Sequence, residues 1–244
     1  MADERRWVLL HGFTGGPDAW RDVLVALPGR ALCPALGGHA PGVPAARDFV
    51  GEVDRLAEVV AAAGLAGAHL AGYSLGARVA LGLLVRHPRL FGAATLIGGH
   101  PGLDEDDPQR RERADADERW ARLAERSLPE FLERWRAQPI FDSQRALSAA
   151  RRDSQDRLRA EHDGAALAAA MRALSLATMP DWKPSLASIG VPVHLVAGEL
   201  DAKFVALAAR VSAGLRNART TIVPGVGHNV LLEHPRAVIA ALAG

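Results

Sequence analysis

Five residues, Gly72-Tyr73-Ser74-Leu75-Gly76, constrain this chain more than any other stretch. An apolar run beginning at Ala68 stops there, and a helix-like pattern follows at once. A strand that turns into a helix so abruptly strains the residue at its apex and holds that side chain clear of the sheet edge. Backbone then approaches so closely that positions 72 and 76 require glycine. G-x-S-x-G alone is a modest signal; the strand before it and the helix after it make it a strong one.

Length and composition set the scale. A chain of 244 residues with 49% hydrophobic content can bury one substantial core, and we expect a single folding unit with an inserted cap. The formal charge of +1 excludes a strongly basic nucleic-acid surface, so electrostatics must act locally. Lys183 and Lys203 are the only lysines beside 27 arginines. Compositional bias is the default reason, although arginine also suits bidentate carboxylate recognition. Cys33 is the sole cysteine, which leaves no intramolecular disulfide and fits a reducing compartment. The stretch Met1 to Trp7 is charged, and the apolar run after it is too short for a signal peptide or membrane span. We therefore expect a cytoplasmic protein, monomeric or weakly homo-oligomeric, with no membrane or nucleic-acid partner.

Along the chain, apolar runs alternate with helical patterns. Trp7 to Leu10 reads as a strand ending on the glycine-dense turn His11 to Gly16, with a helix-like pattern from Ala19 to Leu27. Ala31 to Ala35 is a candidate strand before an irregular Gly/Pro-rich loop. Phe49 to Ala63 has helical periodicity and Gly64 can end it; Ala77 to Arg86 continues the helix after the serine until His87-Pro88. Ala93 to Ile97, Val191 to Ala197 and Thr220 to Val223 complete the strands, with helices from Phe204 to Leu215 and from Pro235 to Leu242. This alternation implies an α/β fold with a mostly parallel sheet covered by helices on both faces.

Residues 103–183 break the pattern. From Asp104 to Arg136, 19 of 33 residues are Asp, Glu or Arg, yet apolar anchors such as Trp120, Phe131 and Trp135 recur. We read a helical lid inserted into a core made of residues 1–102 and 184–244, sitting over the serine. Most of its charges should form a solvated surface.

The chemistry-bearing residues fall in a telling order. After Ser74 come the acids Glu199 and Asp201 at the end of a late strand, then His228 in the loop after the last strand. A serine hydroxyl is a weak base and nucleophile until an imidazole can take its proton, and that imidazole needs a carboxylate to fix its tautomer. Asp201 is preferred as the acid because the helix-capping side of its loop should face the site, with Glu199 the alternative. This Ser, Asp, His order resembles the α/β-hydrolase fold, which implies an oxyanion hole made by the backbone N–H groups of Phe13 and Leu75. His11 and His100 lie near other strand ends, where they contact substrate or merely satisfy loop backbone. His69 and His194, inside strands, read as satisfied core residues.

The flanks narrow the resemblance further. The segments Gly72 to Arg78, Gly98 to Leu103, Arg111 to Arg113 with Trp120, Trp135 to Phe141, Leu174 to Ala177, Gly198 to Phe204 and Gly227 to Asn229 together resemble the 2-succinyl-6-hydroxy-2,4-cyclohexadiene-1-carboxylate synthase family. The likeness runs nearly the full length and includes the lid. It implies a lyase of menaquinone biosynthesis that eliminates pyruvate from an enolpyruvyl cyclohexene substrate, with the triad as general base and no cofactor or metal. That substrate carries three carboxylates, and the resemblance nominates Arg78, Arg113 and Arg159 as their partners, with Tyr73 and Trp135 beside them. A serine hydrolase acting on a small anionic ester or carbon–carbon bond is the alternative that the triad leaves open. Two positions depart from the family pattern: Ala77 replaces a common second glycine, and Pro34 to Ala40 replaces an Asp-Leu-Pro-Gly-His-Gly type of turn.

Overall fold

Six runs of branched and small apolar residues pair into one sheet in the structure, a computed structural model that describes residues 5–244. They are β1 (Arg6–Leu10), β2 (Arg30–Leu32), β3 (Ala68–Tyr73), β4 (Phe91–Ile97), β5 (Val193–Gly198) and β6 (Ala218–Val223). Every neighbouring pair is parallel, in the order β2-β1-β3-β4-β5-β6. Strands covered on both faces cannot alternate polar and apolar residues, and β5 is buried at all of its positions. The histidines in these strands are satisfied within the sheet: His69 Nε2 is 2.8 Å from Thr95 Oγ1, and His194 Nε2 is 2.8 Å from Thr221 Oγ1.

Helices cover the two faces: α1 (Arg21–Leu24), α2 (Phe49–Ala62), α3 (Leu75–Arg86), then α4 (Gln109–Arg126), α5 (Leu128–Arg136), α6 (Ala149–Ala160), α7 (Gly164–Ala173), and finally α8 (Ala202–Gly214), α9 (Val230–Glu233) and α10 (Pro235–Ala243). Leu56, Val79 and Val211 of α2, α3 and α8 bury against Leu70 on one face. Val23 and Val238 of α1 and α10 bury with Trp20, Ile97 and Val223 on the other. Local signals set the helix ends. The Asp48 carboxylate accepts the Gly51 N–H at 2.7 Å and caps α2, while Gly64 at φ 70° closes the turn after it.

Two elements are shorter than their patterns suggest. The Ala19 to Leu27 pattern becomes a 3-10 turn, Pro17–Trp20, followed by the single turn of α1. Gly29, at φ 96°, sends the chain straight into β2, where any Cβ would lie 2.0 Å from the Arg5 carbonyl oxygen. β2 itself stops at Leu32 and pairs only with β1, since Pro34 has no N–H to extend the ladder.

Between β4 and β5 the described chain contains helices and turns but no strand. α4 and α7 bury Ala121, Ala124, Leu167 and Ala168 against Phe131 of α5, a small core separate from those of the sheet. Arg172 on α7 pairs with Glu118 and Glu125 on α4 across this seam; such exposed pairs are screened by solvent and add little to stability. Among the described residues no helix is long and apolar enough to cross a membrane.

Parallel strands put all their carboxyl ends on one edge of the sheet. The order reverses between β1 and β3, and the crevice beyond such a reversal is where open α/β sheets bind ligands.

Candidate active site

Ser74 stands at that reversal, directly after β3, with φ 53° and ψ −109°. Positive φ in a residue with a side chain costs about 1–3 kcal/mol and persists only where the surroundings enforce it. Here they do. A Cβ on Gly72 would lie 2.4 Å from the Gly76 carbonyl oxygen, and one on Gly76 would lie 2.3 Å from the Leu10 carbonyl oxygen. The serine N–H donates to the Ile97 carbonyl at 2.8 Å, and its own carbonyl accepts the Arg78 N–H at 3.1 Å to open α3. Its hydroxyl caps nothing and is free for chemistry.

The loops after β5 and β6 meet it. Ser74 Oγ lies 3.0 Å from His228 Nε2, and His228 Nδ1 lies 2.7 Å from Asp201 Oδ2. With a carboxylate facing Nδ1, that nitrogen carries the proton and Nε2 is left to accept from the serine. Asp201 also caps α8 through the Phe204 N–H at 3.4 Å, which fixes the carboxylate from its other oxygen. Glu199, the alternative acid, instead accepts the Gly225 N–H at 2.8 Å on the exposed side. Glu233, unmarked by any sequence pattern, accepts the N–H groups of Gly227 at 2.8 Å and Asn229 at 3.2 Å through its carboxylate and so clamps the histidine loop. Phe204 packs on the imidazole at 4.5 Å between ring centroids.

The turn after β1 forms the facing wall. His11 is fully buried with Nδ1 donating to the Gly12 carbonyl at 2.8 Å and Nε2 accepting the Leu36 N–H at 3.1 Å. Burial pulls its pKa down to about 4, so it is a neutral structural post rather than a substrate contact. Phe13 follows and borders both cavities at the serine.

Those cavities, each about 300 Å³ (310 and 300 Å³), meet at Ser74, Phe13, Trp135 and Phe141. The first also takes in Tyr73 and Arg159, the second Leu75, Arg78 and Arg113. The three arginines therefore flank the serine from two sides instead of converging in one chamber. Arg78 reaches back from α3, donates Nη1–H to the Leu174 carbonyl at 3.0 Å and lies over the Phe49 ring at 5.9 Å. Burial, and after it the charge of Arg113, lowers its pKa to about 9, which still leaves it cationic at neutral pH. No carboxylate pairs with it among the described residues. Arg78 is half-buried, whereas Arg159 is buried, over the Phe141 ring at 5.7 Å, with the Asp156 carboxylate 3.9 Å away. Arg113 differs: it is more exposed and its Nε donates to Asp117 at 2.8 Å, a carboxylate that Ser175 also bonds at 2.6 Å. Trp135 stacks on Phe131 at 5.5 Å, and its buried indole N–H has no partner among the described residues.

Lys203 and Gln138 border the second cavity without having been singled out in the sequence. Both lie in segments that carry the resemblance, Gly198 to Phe204 and Trp135 to Phe141, but no local pattern marked either one for the site.

Comparisons with known proteins agree with this geometry. Residues 7–242 match the alpha/beta hydrolase family. The 2-succinyl-6-hydroxy-2,4-cyclohexadiene-1-carboxylate synthase of Enterobacter sp. (strain 638) is 38% identical over 239 residues, 97% of this chain and 89% of that protein. Its counterpart from Escherichia coli O1:K1 / APEC is 35% identical, with 97% and 91% covered. Among solved structures, MenH from S. aureus aligns with a TM-score of 0.93 at 23% identity, over 100% of this chain and 94% of that one. The esterase EaEST from Exiguobacterium antarcticum aligns with a TM-score of 0.82 at 18% identity, over 100% and 92%. At those identities the two structures speak for the fold, and the sequence relatives carry the finer assignment. The chain belongs to the α/β-hydrolase family and, within it, to the 2-succinyl-6-hydroxy-2,4-cyclohexadiene-1-carboxylate synthases.

Proposed function

We propose that Ser74, His228 and Asp201 act together as the general base of the family reaction, the elimination of pyruvate from 2-succinyl-5-enolpyruvyl-6-hydroxy-3-cyclohexene-1-carboxylate. The Ser74 hydroxyl gives its proton to His228 Nε2 as its oxygen takes the proton α to the succinyl ketone, and Asp201 stabilises the imidazolium. The C–H electron pair moves into an enolate. It then shifts through the ring alkene and expels the enolpyruvyl oxygen as the enolate of pyruvate, which takes at its methylene carbon the proton held by His228, directly or through solvent, and so becomes pyruvate and leaves the imidazole neutral. No bond forms between serine and substrate.

The enolate oxygen is received by the N–H groups of Phe13 and Leu75. Leu75 opens α3, where the first N–H groups have no acceptor inside the helix. A pre-aimed donor of this kind contributes about 3–4 kcal/mol to the transition state. Arg78, Arg113 and Arg159 bind the three carboxylates, with Tyr73 and Trp135 lining the space around the serine.

The observation that carries this reading is the pair of guanidiniums in the two cavities that meet at Ser74: Arg159, buried with only the Asp156 carboxylate 3.9 Å away, and Arg78, half-buried with no carboxylate partner among the described residues. A buried cation left unpaired costs several kcal/mol. Anions on the ligand offset that cost, and a substrate with carboxylates at separate ends matches cations in separate cavities. A simple ester supplies no such charges. The enzyme should release pyruvate from the enolpyruvyl substrate at least 100-fold faster, in kcat/KM, than it cleaves a nitrophenyl ester. Rapid ester cleavage without pyruvate release would replace this reading with the serine hydrolase.

A further inference from the structure

We propose that His100 is a specificity residue that donates a hydrogen bond from its neutral Nε2–H to the ring hydroxyl of the substrate. The inference rests on the function proposed above. His100 follows β4 and borders the cavity that holds Ser74, Arg78 and Arg113. Its Nδ1 accepts the Gly102 N–H at 3.1 Å. An N–H aimed at Nδ1 excludes a proton there, so the proton of the neutral ring sits on Nε2. Because Nδ1 is turned back onto its own loop, Nε2 lies on the opposite edge of the ring and is not spent on any hydrogen bond within the described protein.

The surroundings keep this donor uncharged. Burial acts first, and then the charges of Lys203, Arg78, Lys183 and Arg113, which together pull the pKa down to about 3. A neutral N–H among guanidiniums is a poor competitor for carboxylates, which charge-assisted donors bind more strongly. It suits an uncharged oxygen. The ligand has three uncharged oxygens: the ketone oxygen is already assigned to the backbone N–H groups of Phe13 and Leu75, and the enol ether oxygen is a poor acceptor because its lone pair is delocalised into the vinyl carboxylate. The ring hydroxyl remains for His100. The reaction leaves this hydroxyl in place, so the contact discriminates between substrates and does not drive the elimination.

The test pairs His100→Asn with a substrate analogue lacking the ring hydroxyl. Asparagine keeps an acceptor for the Gly102 N–H and removes the donor at the far edge. On the natural substrate, H100N should lower kcat/KM about five- to tenfold, mostly through KM, the range for one neutral hydrogen bond. On the deoxy analogue, H100N and the wild type should be equal, because the partner is already missing. A deficit of the same size on both substrates would overturn the proposal, as would an unimpaired H100N. Nitrogen NMR of the ligand-free enzyme decides the donor separately: the ring should be the Nε2–H form and stay so from pH 8 to pH 5. An Nδ1–H tautomer or a titration in that range would contradict it. If the wild type releases no pyruvate, the lyase reading has failed, and the tautomer result still judges His100.

Discussion

Ser74→Ala should lower kcat for pyruvate release by about 10³-fold, within the 10²- to 10⁴-fold range of a positioned proton acceptor, and change KM little. The hydroxyl has one hydrogen bond, to His228, and caps no helix. Its loss therefore removes chemistry while leaving the elbow supported by the same backbone contacts. Melting temperature checks that point: alanine is as strained as serine at φ 53°, so the variant should unfold within a few degrees of the wild type. A drop in kcat with an unchanged KM marks an interaction used only in the transition state. A variant that keeps most of its kcat would show that the base lies elsewhere. His228 is the obvious second choice, since its Nε2 could take the substrate proton directly once the serine is gone.

The second large effect belongs to Arg78. Arg78→Met should lower kcat/KM about 10- to 100-fold, the worth of a charge-assisted contact of about 1.5–3 kcal/mol. The same variant should be as stable as the wild type or more so without substrate, because replacing a half-buried cation that has no carboxylate partner among the described residues by an apolar chain of similar length removes a desolvation cost. Loss of the bond to the Leu174 carbonyl works against this gain, but methionine does not leave a donor stranded. Arg78→Lys should recover little, since an ammonium lacks the planar fork that meets a carboxylate with two bonds. Unchanged kcat/KM in R78M would mean that the carboxylates bind outside this cavity.

Much of the fold was legible because its signals are local. Gly72 and Gly76 marked the elbow through a backbone constraint that no other residue meets, and the strand-helix alternation required a parallel sheet. The order of Ser74, Asp201 and His228 followed from chain position alone once those strands were placed. Arg78 was nominated by the family resemblance, and it lies one turn beyond the serine on the same helix. What escaped the sequence depends on distant partners. The helical pattern at Ala19 to Leu27 is apolar enough for a longer helix, yet it folds as a 3-10 turn and a single α-turn before Gly29 passes tightly against Arg5 into β2. Glu233 looks like a surface residue of a short helix, and only the folded loop turns it into the clamp for Gly227 and Asn229. The separation of Arg159 from Arg78 and Arg113 into two cavities likewise arises from how α4 to α7 settle over the sheet, information spread over the whole 103–183 segment.

The central claim is that a residue built like a nucleophile serves here as a base. Intact-protein mass spectrometry of the enzyme, acid-quenched during turnover of the enolpyruvyl substrate, tests this most directly. The mass should stay that of the unmodified chain at every time point while pyruvate accumulates. A transient adduct that maps to Ser74 and is absent in Ser74→Ala would contradict it, and would assign this site to covalent catalysis.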